Sequence, residues 1–467
     1  MSRRWILGCL HLLKFSFTVV MAVFFSSLSL YLHERLHYPV DMTFAISGLF
    51  LACSYGLPVI GGWLLERYIG TGAFWISGLT CCLLGSLLMQ VHELFLFALA
   101  CYVTGNMATK LCINVLLMEQ FSAEEIAARK RAFTLNYTAM NIGFVVGYIL
   151  TGLVYQAHLF HLLFAFISGV LSLALVGIIY LMRVKLREKL WQWQAPVSFA
   201  GLTFLVYLAL RFAAVSSDVL LLLLFVLLFL AFIWGIYQSS AEDYVGWWQF
   251  GFYLLLGLGF WTVYLLTPIA LMLLVSEQSV LQLGRIHFPP QWLEVFGPIT
   301  VVITGLISTR LIQRYETSRG VSLSNRFYYM MGLSVLCGGV LLLSFGFAST
   351  PTHQPFDFDW ILVYLVATSV AEVFIGPVMY ALVGELIPPS GHTNMMGVSI
   401  LHMGIASLLA SKLSTAYIKP ILGNVRPFAG DAHELARFFL LVAIALIAAI
   451  MLVYVDPTRR RQRIPYA

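Results

Sequence analysis

Charge is the first thing this chain is short of. Asp, Glu, Lys and Arg make up 10% of its 467 residues, against roughly 25% in an average soluble domain. So few charges cannot coat a water-facing surface, which excludes a soluble globular enzyme. Disorder is excluded too, because it needs low hydrophobicity and many charges. Cysteine is also scarce. The seven, Cys9, Cys53, Cys81, Cys82, Cys101, Cys112 and Cys337, all fall inside or at the edge of apolar runs. None pairs up in an outer loop, so neither a structural disulfide nor a metal site is expected. No glycine-rich loop ends in Lys-Ser or Lys-Thr, which removes ATP as an energy source. No His-rich cluster at helical spacing and no Ser-His-acid set lies at membrane depth. An enzyme is therefore not expected, and no cofactor.

What is present is apolar: 60% of residues, with a mean hydropathy of +0.89. The runs are continuous rather than alternating, which points to helices and away from a barrel. A spanning helix takes roughly 20 residues. Fourteen segments qualify, at 11–32, 42–65, 71–90, 93–119, 132–155, 158–182, 197–214, 219–238, 247–275, 292–313, 327–348, 359–387, 393–418 and 434–455. Arg3-Arg4 followed by a long apolar run resembles a signal peptide. It lacks a small-residue cleavage site and runs too long, so it reads as an uncleaved first helix. The chain is thus an all-α membrane protein with the lipid bilayer as its solvent.

The net charge of +6 reflects topology rather than nucleic-acid binding. With the N-terminus cytoplasmic, eighteen Lys and Arg fall in inner segments and five (Arg35, Arg285, Lys419, Arg426, Arg437) in outer ones. That bias predicts that both termini face the cytoplasm. It also requires that 197–214 and 219–238 both span, or neither; Ser216-Ser217-Asp218 between them suits a tight outer turn. The chain then divides into six helices (1–190), a two-helix insert (191–245) and six more (246–467). Six-helix halves are how many secondary transporters are built.

A charge at mid-bilayer costs several kcal/mol and marks a functional site by default. Lys110, in the fourth segment, and Glu372, in the twelfth, are too deep to reach the interface. Lys14 and Lys412 lie nearer segment ends, where a lysine can snorkel. A buried structural ion pair would also account for Lys110 and Glu372. A cation and an anion in opposite halves also suit a zwitterion, with Lys110 meeting a carboxylate and Glu372 an ammonium. His402 is either a proton relay or a packing histidine. Tyr55, Tyr137, Asn136 and Asn141 bond either a neighbouring helix or a ligand. Pro58, Pro298 and Pro377 fall inside segments and would kink them.

Several stretches carry a resemblance. Tyr55-Gly56-Leu57-Pro58-Val59-Ile60-Gly61-Gly62-Trp63 continues into Glu66-Arg67-Tyr68-Ile69-Gly70. Phe133, Tyr137, Asn141 and Gly143 are spaced as Phe-x-x-x-Tyr-x-x-x-Asn-x-Gly. Lys110 follows a run containing Gly105. Phe260-Trp261, Pro298, Glu372 with Gly376-Pro377, and Met395-Met396-Gly397 follow in order. Together they resemble the proton-dependent oligopeptide transporter family of the major facilitator superfamily. The resemblance implies the major facilitator fold, two six-helix bundles, with the two extra helices that bacterial members carry. It implies transport of di- and tripeptides or amino acids by alternating access, driven by protons. Lys110, Glu372, Tyr55, Tyr137, Asn141 and Asn136 become substrate-binding candidates; Glu372 and Lys14 become proton-coupling candidates.

The departures concern coupling. The family's Glu-x-x-Glu-Arg on the first helix is Lys14-Phe15-Ser16-Phe17-Thr18 here. The acid after Phe260-Trp261 is replaced by Leu265 and Leu266, and the asparagine before Pro298 by Gly297. The expected partners are a small solute and protons, and the expected unit a monomer. The competing readings are efflux of an amphiphilic or metal-chelating metabolite, and a non-transporting membrane sensor.

Overall fold

Inside a bilayer a backbone can satisfy its N–H and C=O groups only within a helix or a closed barrel. Runs this long and this apolar therefore fold as helices. The computed structural model describes residues 3–122, 124–186, 189–238, 244–283, 285–351, 354–388, 392–422 and 432–455. Its helices are α1 (Arg3–Leu30), α2 (Val40–Arg67), α3 (Thr71–Leu88), α4 (Phe95–Glu119), α5 (Ile126–Gln156), α6 (Phe160–Tyr180), α7 (Gln194–Arg211) and α8 (Ala213–Gln238). They continue with α9 (Tyr244–Tyr264), α10 (Met272–Gln278), α11 (Phe296–Arg319), α12 (Asn325–Ser349), α13 (Phe358–Leu386), α14 (His392–Leu413), α15 (Lys419–Leu422) and α16 (Ala432–Val455). A π turn at Thr267–Leu271 carries α9 towards α10, and another at Ser414–Ile418 joins α14 to α15. Among the described residues fourteen spans are long and apolar enough to cross a membrane. They correspond one for one to the fourteen segments read from the sequence. The tail from 456 onward, with four of the inner arginines, lies outside the described residues, as does Arg426.

Two details differ from the sequence reading. The break between α7 and α8 falls at Phe212, and Ser216–Asp218 are already helical, with the Ser216 amide bonded to the Phe212 carbonyl at 2.9 Å. Small polar residues near a helix start satisfy its free N–H groups as readily as they make a turn. Pro298 is the third residue of α11, where its missing N–H breaks no helical bond. Pro58 and Pro377 do lie inside α2 and α13.

The chain forms two compact units. The first comprises the described parts of Met1–Val219 together with Gln282–Pro298; the second comprises those of Leu220–Leu281 and Ile299–Ala467. In the first, α3 packs on α4, α1 on α5, and α7 on α3 and α4. A short hairpin, β1 (Gln282–Leu283) with β2 (Ile286–His287), and a 3-10 turn at Pro290–Val295 also belong to it. In the second, α12 packs on α13 and α16, and α9 on α13 and α14. The two insert helices part company: α7 joins the first unit, while Phe232 of α8 stacks edge-on against Trp247 and Trp248 of α9.

Small residues set the close crossings. A Cβ at Gly105 would overlap the Gly78 carbonyl oxygen and come within 2.6 Å of the Cys82 nitrogen, so α3 and α4 meet backbone to backbone. Gly105→Ala is expected to lower stability by about 1–3 kcal/mol. Gly8→Ala, where nothing lies within 4 Å, should not. Thermal unfolding of the two purified variants checks this. All seven cysteines are free; Cys9 and Cys81 are half-buried and the other five buried.

Candidate functional site

The first unit assembles its polar residues around Lys110. Its ammonium donates to the Ser54 carbonyl at 2.9 Å and sits 5.2 Å from the centre of the Tyr55 ring, within cation–π range. That carbonyl is free for a covalent reason. In α2 it would accept from residue 58, and Pro58 has no N–H to give. The proline in the second helix therefore serves the lysine in the fourth. The hydroxyl of Ser54 and those of Thr104 and Thr109 on α4 are buried without hydrogen-bond partners.

This linkage is testable as a coupling energy. With Met at 110 the Ser54 carbonyl is unpaired, and Pro58→Ala then supplies an N–H for it. Pro58→Ala should stabilise Lys110→Met by about 1 kcal/mol more than it stabilises the native chain, since a buried unpaired acceptor costs about 1–3 kcal/mol. Thermal unfolding of the four proteins measures it.

Lys14 is half-buried on α1, close enough to Lys110 for the two charges to repel. The α5 signature explains how it is placed. A Cβ at Gly143 would come within 2.7 Å of the Phe15 carbonyl oxygen, so glycine lets α5 close on α1 next to Lys14. Neither lysine has a carboxylate partner: among the described residues the one ion pair joins Arg3 to Glu125, at 2.7 Å. Two unneutralised ammonium groups in a low-dielectric interior attract an anion.

The other candidates of this unit take up different positions. Asn136 is buried beside His11 of α1, and its Oδ1 has no partner. Asn141 is 5% exposed and turns its amide back to the Tyr137 carbonyl at 3.0 Å. Tyr137 itself is exposed.

In the second unit Glu372 is half-buried on α13. The Tyr264 hydroxyl of α9 lies within hydrogen-bonding reach, and the Tyr380 phenol is within its field. The open face of Gly376 lies against the Glu372 Cγ and the Trp261 ring. The Phe260-Trp261 signature thus positions the aromatic that flanks the acid. Among the described residues no cationic side chain of this unit pairs with Glu372. His402 of α14 is 1% exposed, and both its ring nitrogens are unpartnered. It faces Gly257 of α9 beside Met379.

Comparison with known proteins places this arrangement. No family model matches the chain. Dipeptide and tripeptide permease B of Xenorhabdus bovienii is 21% identical over 456 residues, spanning 93% of this chain and 91% of the permease. Dipeptide and tripeptide permease A of Cronobacter turicensis is 23% identical over 451 residues, spanning 91% and 87%. The fold is that of a crystallised peptide transporter POT in complex with sulfate, with a TM-score of 0.84 at 15% identity over 97% of this chain and 94% of that one. A POT family transporter in complex with 5-aminolevulinic acid gives 0.81 at 17% identity, covering 96% and 95%. Tetrameric PepTSo2 gives 0.81 at 16%, covering 97% and 98%. The chain is thus similar over nearly its whole length to dipeptide and tripeptide permeases, and it shares the fold of the POT peptide transporters.

The departures from the resemblance lie at the acids. Leu265 and Leu266, in place of the α9 acid, are fully buried. The 14–18 window of α1 carries a cation, Lys14, where the resemblance would place acids. Sequence reasoning missed Tyr264, His11 and the Ser54 carbonyl. Tyr264 was legible as the residue three beyond Trp261 on one helical face. The carbonyl was legible only by counting four back from Pro58.

Proposed function

We propose that this protein is a secondary transporter of small zwitterions, di- and tripeptides foremost, working by alternating access. One observation carries the reading: among the described residues each unit holds a charge at membrane depth with no counter-ion of its own, Lys110 in the first and Glu372 in the second. Lys110 is the proposed partner of a carboxylate and Glu372 that of an ammonium, the two charges of a zwitterion. Tyr55 and Trp261 supply apolar walls beside the charges, while Tyr137, Asn136 and Asn141 are the remaining proposed contacts. Protons are the proposed coupling ion, with Glu372 and Lys14 as the groups that exchange them. Both termini face the cytoplasm in this reading, on the strength of the Lys and Arg distribution. A single chain is the proposed working unit.

The test is counterflow of radiolabelled dialanine in proteoliposomes. Competition by unlabelled dialanine, and none by dialanine blocked at either terminus, supports the reading. Competition by both blocked peptides equal to that of the free one sinks it, and turns attention to the efflux alternative.

A further inference from the structure

The 3-10 turn at Pro290–Val295 holds an acid that the transport reading leaves unused. Glu294 is 7% exposed. It lies two residues into the apolar segment 292–313. The turn packs it against α5 and α1, within the first unit. In a 3-10 helix residues three apart eclipse one another, so Gln291 and Glu294 share one face. Gln291 is fully buried and donates its amide to the Ser27 hydroxyl of α1 at 3.0 Å. The Tyr148 hydroxyl of α5 lies within reach of Glu294. The docking is completed by Trp292, whose ring fills the space over Gly152 and whose indole N–H donates to the Ile149 carbonyl at 3.3 Å.

Two acceptors on this face are orphaned: Gln291 Oε1 and Glu294 Oε1 are both buried without partners. Among the described residues no cation pairs with Glu294. Tyr148 of α5 is the titratable group within its reach, and on α1 the Ser27 hydroxyl bonds Gln291. Along α1, Lys14 lies thirteen residues from Ser27, about 20 Å at 1.5 Å per residue. Arg35 is eight residues away and bonded to His158 at 2.6 Å. Along α5, Arg131 is seventeen residues from Tyr148, about 25 Å, and Tyr155 is bonded to Glu34 at 2.6 Å. An ionised Glu294 would be a buried charge with no counter-ion beside an unpaired amide oxygen, the costliest arrangement a buried polar cluster has. One proton removes both defects, because a protonated carboxyl gains a donor.

We propose that Glu294 is a proton-binding site, held as a neutral acid whose O–H donates to Gln291 Oε1. The proton comes from water and returns to it; no other bond changes. Losing it leaves two buried acceptors and a charge facing α1 and α5, so residues 282–298 are released from those helices. The chain thereby regains, at the entrance to α11, a protonatable group of the kind missing from α1 and α9. The proposal holds whatever solute is carried.

Infrared spectroscopy of the full chain in lipid nanodiscs at neutral pH tests it, in a Glu372→Gln background so that the other deep acid is silent. The expected result is that E294Q removes the C=O band of one protonated carboxyl per chain. Q291A keeps that band but moves it to higher frequency, since its hydrogen-bond acceptor is gone. Loss of a carboxylate band in E294Q, or no loss in either region, overturns the proposal. So does an unmoved band in Q291A. The glutamine of E294Q still offers an N–H to Gln291, so the deciding variant keeps the packing; if Q291A fails to fold, E294Q alone decides.

Discussion

Glu372→Gln is expected to abolish uptake driven by a proton gradient while leaving counterflow running. The substitution keeps the shape of the side chain and its hydrogen bond with Tyr264, but removes the group that can gain and lose a proton. Counterflow needs only that the loaded carrier reorient, so it survives. Gradient-driven uptake needs a proton to be bound on one side and released on the other, and should fall at least about tenfold, a barrier change of about 1.4 kcal/mol or more. Proteoliposomes with an imposed pH gradient, assayed beside gradient-free vesicles preloaded with dialanine, separate the two activities. Uptake that persists against the gradient-free control moves the coupling proton away from Glu372.

Lys110→Ala is expected to weaken dialanine binding roughly 10- to 100-fold, the equivalent of one hydrogen bond to a charged group at about 1.5–3 kcal/mol. The loss should be selective. A peptide with an amidated C-terminus has no carboxylate to lose, so its already weak binding should barely change. Isothermal titration with the free and the amidated peptide reads both. An equal loss for the two would show that Lys110 shapes the cavity without holding the carboxylate. Lys14 gives an internal comparison: it stays charged in the variant, so a smaller loss than expected would mean that the carboxylate shifts to it.

The fold was legible because a bilayer allows so few solutions. Length and hydropathy alone place fourteen helices, since a continuous apolar run has no other way to satisfy its backbone. The deep charges were legible for the same reason: Lys110 and Glu372 stand out against apolar neighbours. What surrounds them was harder to see. Asn141 looks like a ligand contact in the sequence, yet its amide is occupied by its own helix. Glu294 did not stand out, because nothing in the string says that the 3-10 turn is tucked against α1 and α5. Pro58 looks like a hinge; its role as the source of a free carbonyl depends on which α4 side chain faces it. In each case the missing information is which helix faces which, and apolar helices without strong amphipathic stripes do not encode that in their own periodicity.

The distribution of thiols has a practical consequence. Maleimide and spin-label chemistry needs an accessible thiolate, and five of the seven cysteines are buried. Replacing Cys9 and Cys81, the two half-buried ones, should leave a protein almost silent to such reagents; at 81 serine keeps the polar contact with the Thr203 hydroxyl at 3.4 Å. Single cysteines introduced at exposed positions such as Tyr237 and Tyr454 would then report against a blank background. A spectroscopist could begin from this chain with two substitutions instead of seven.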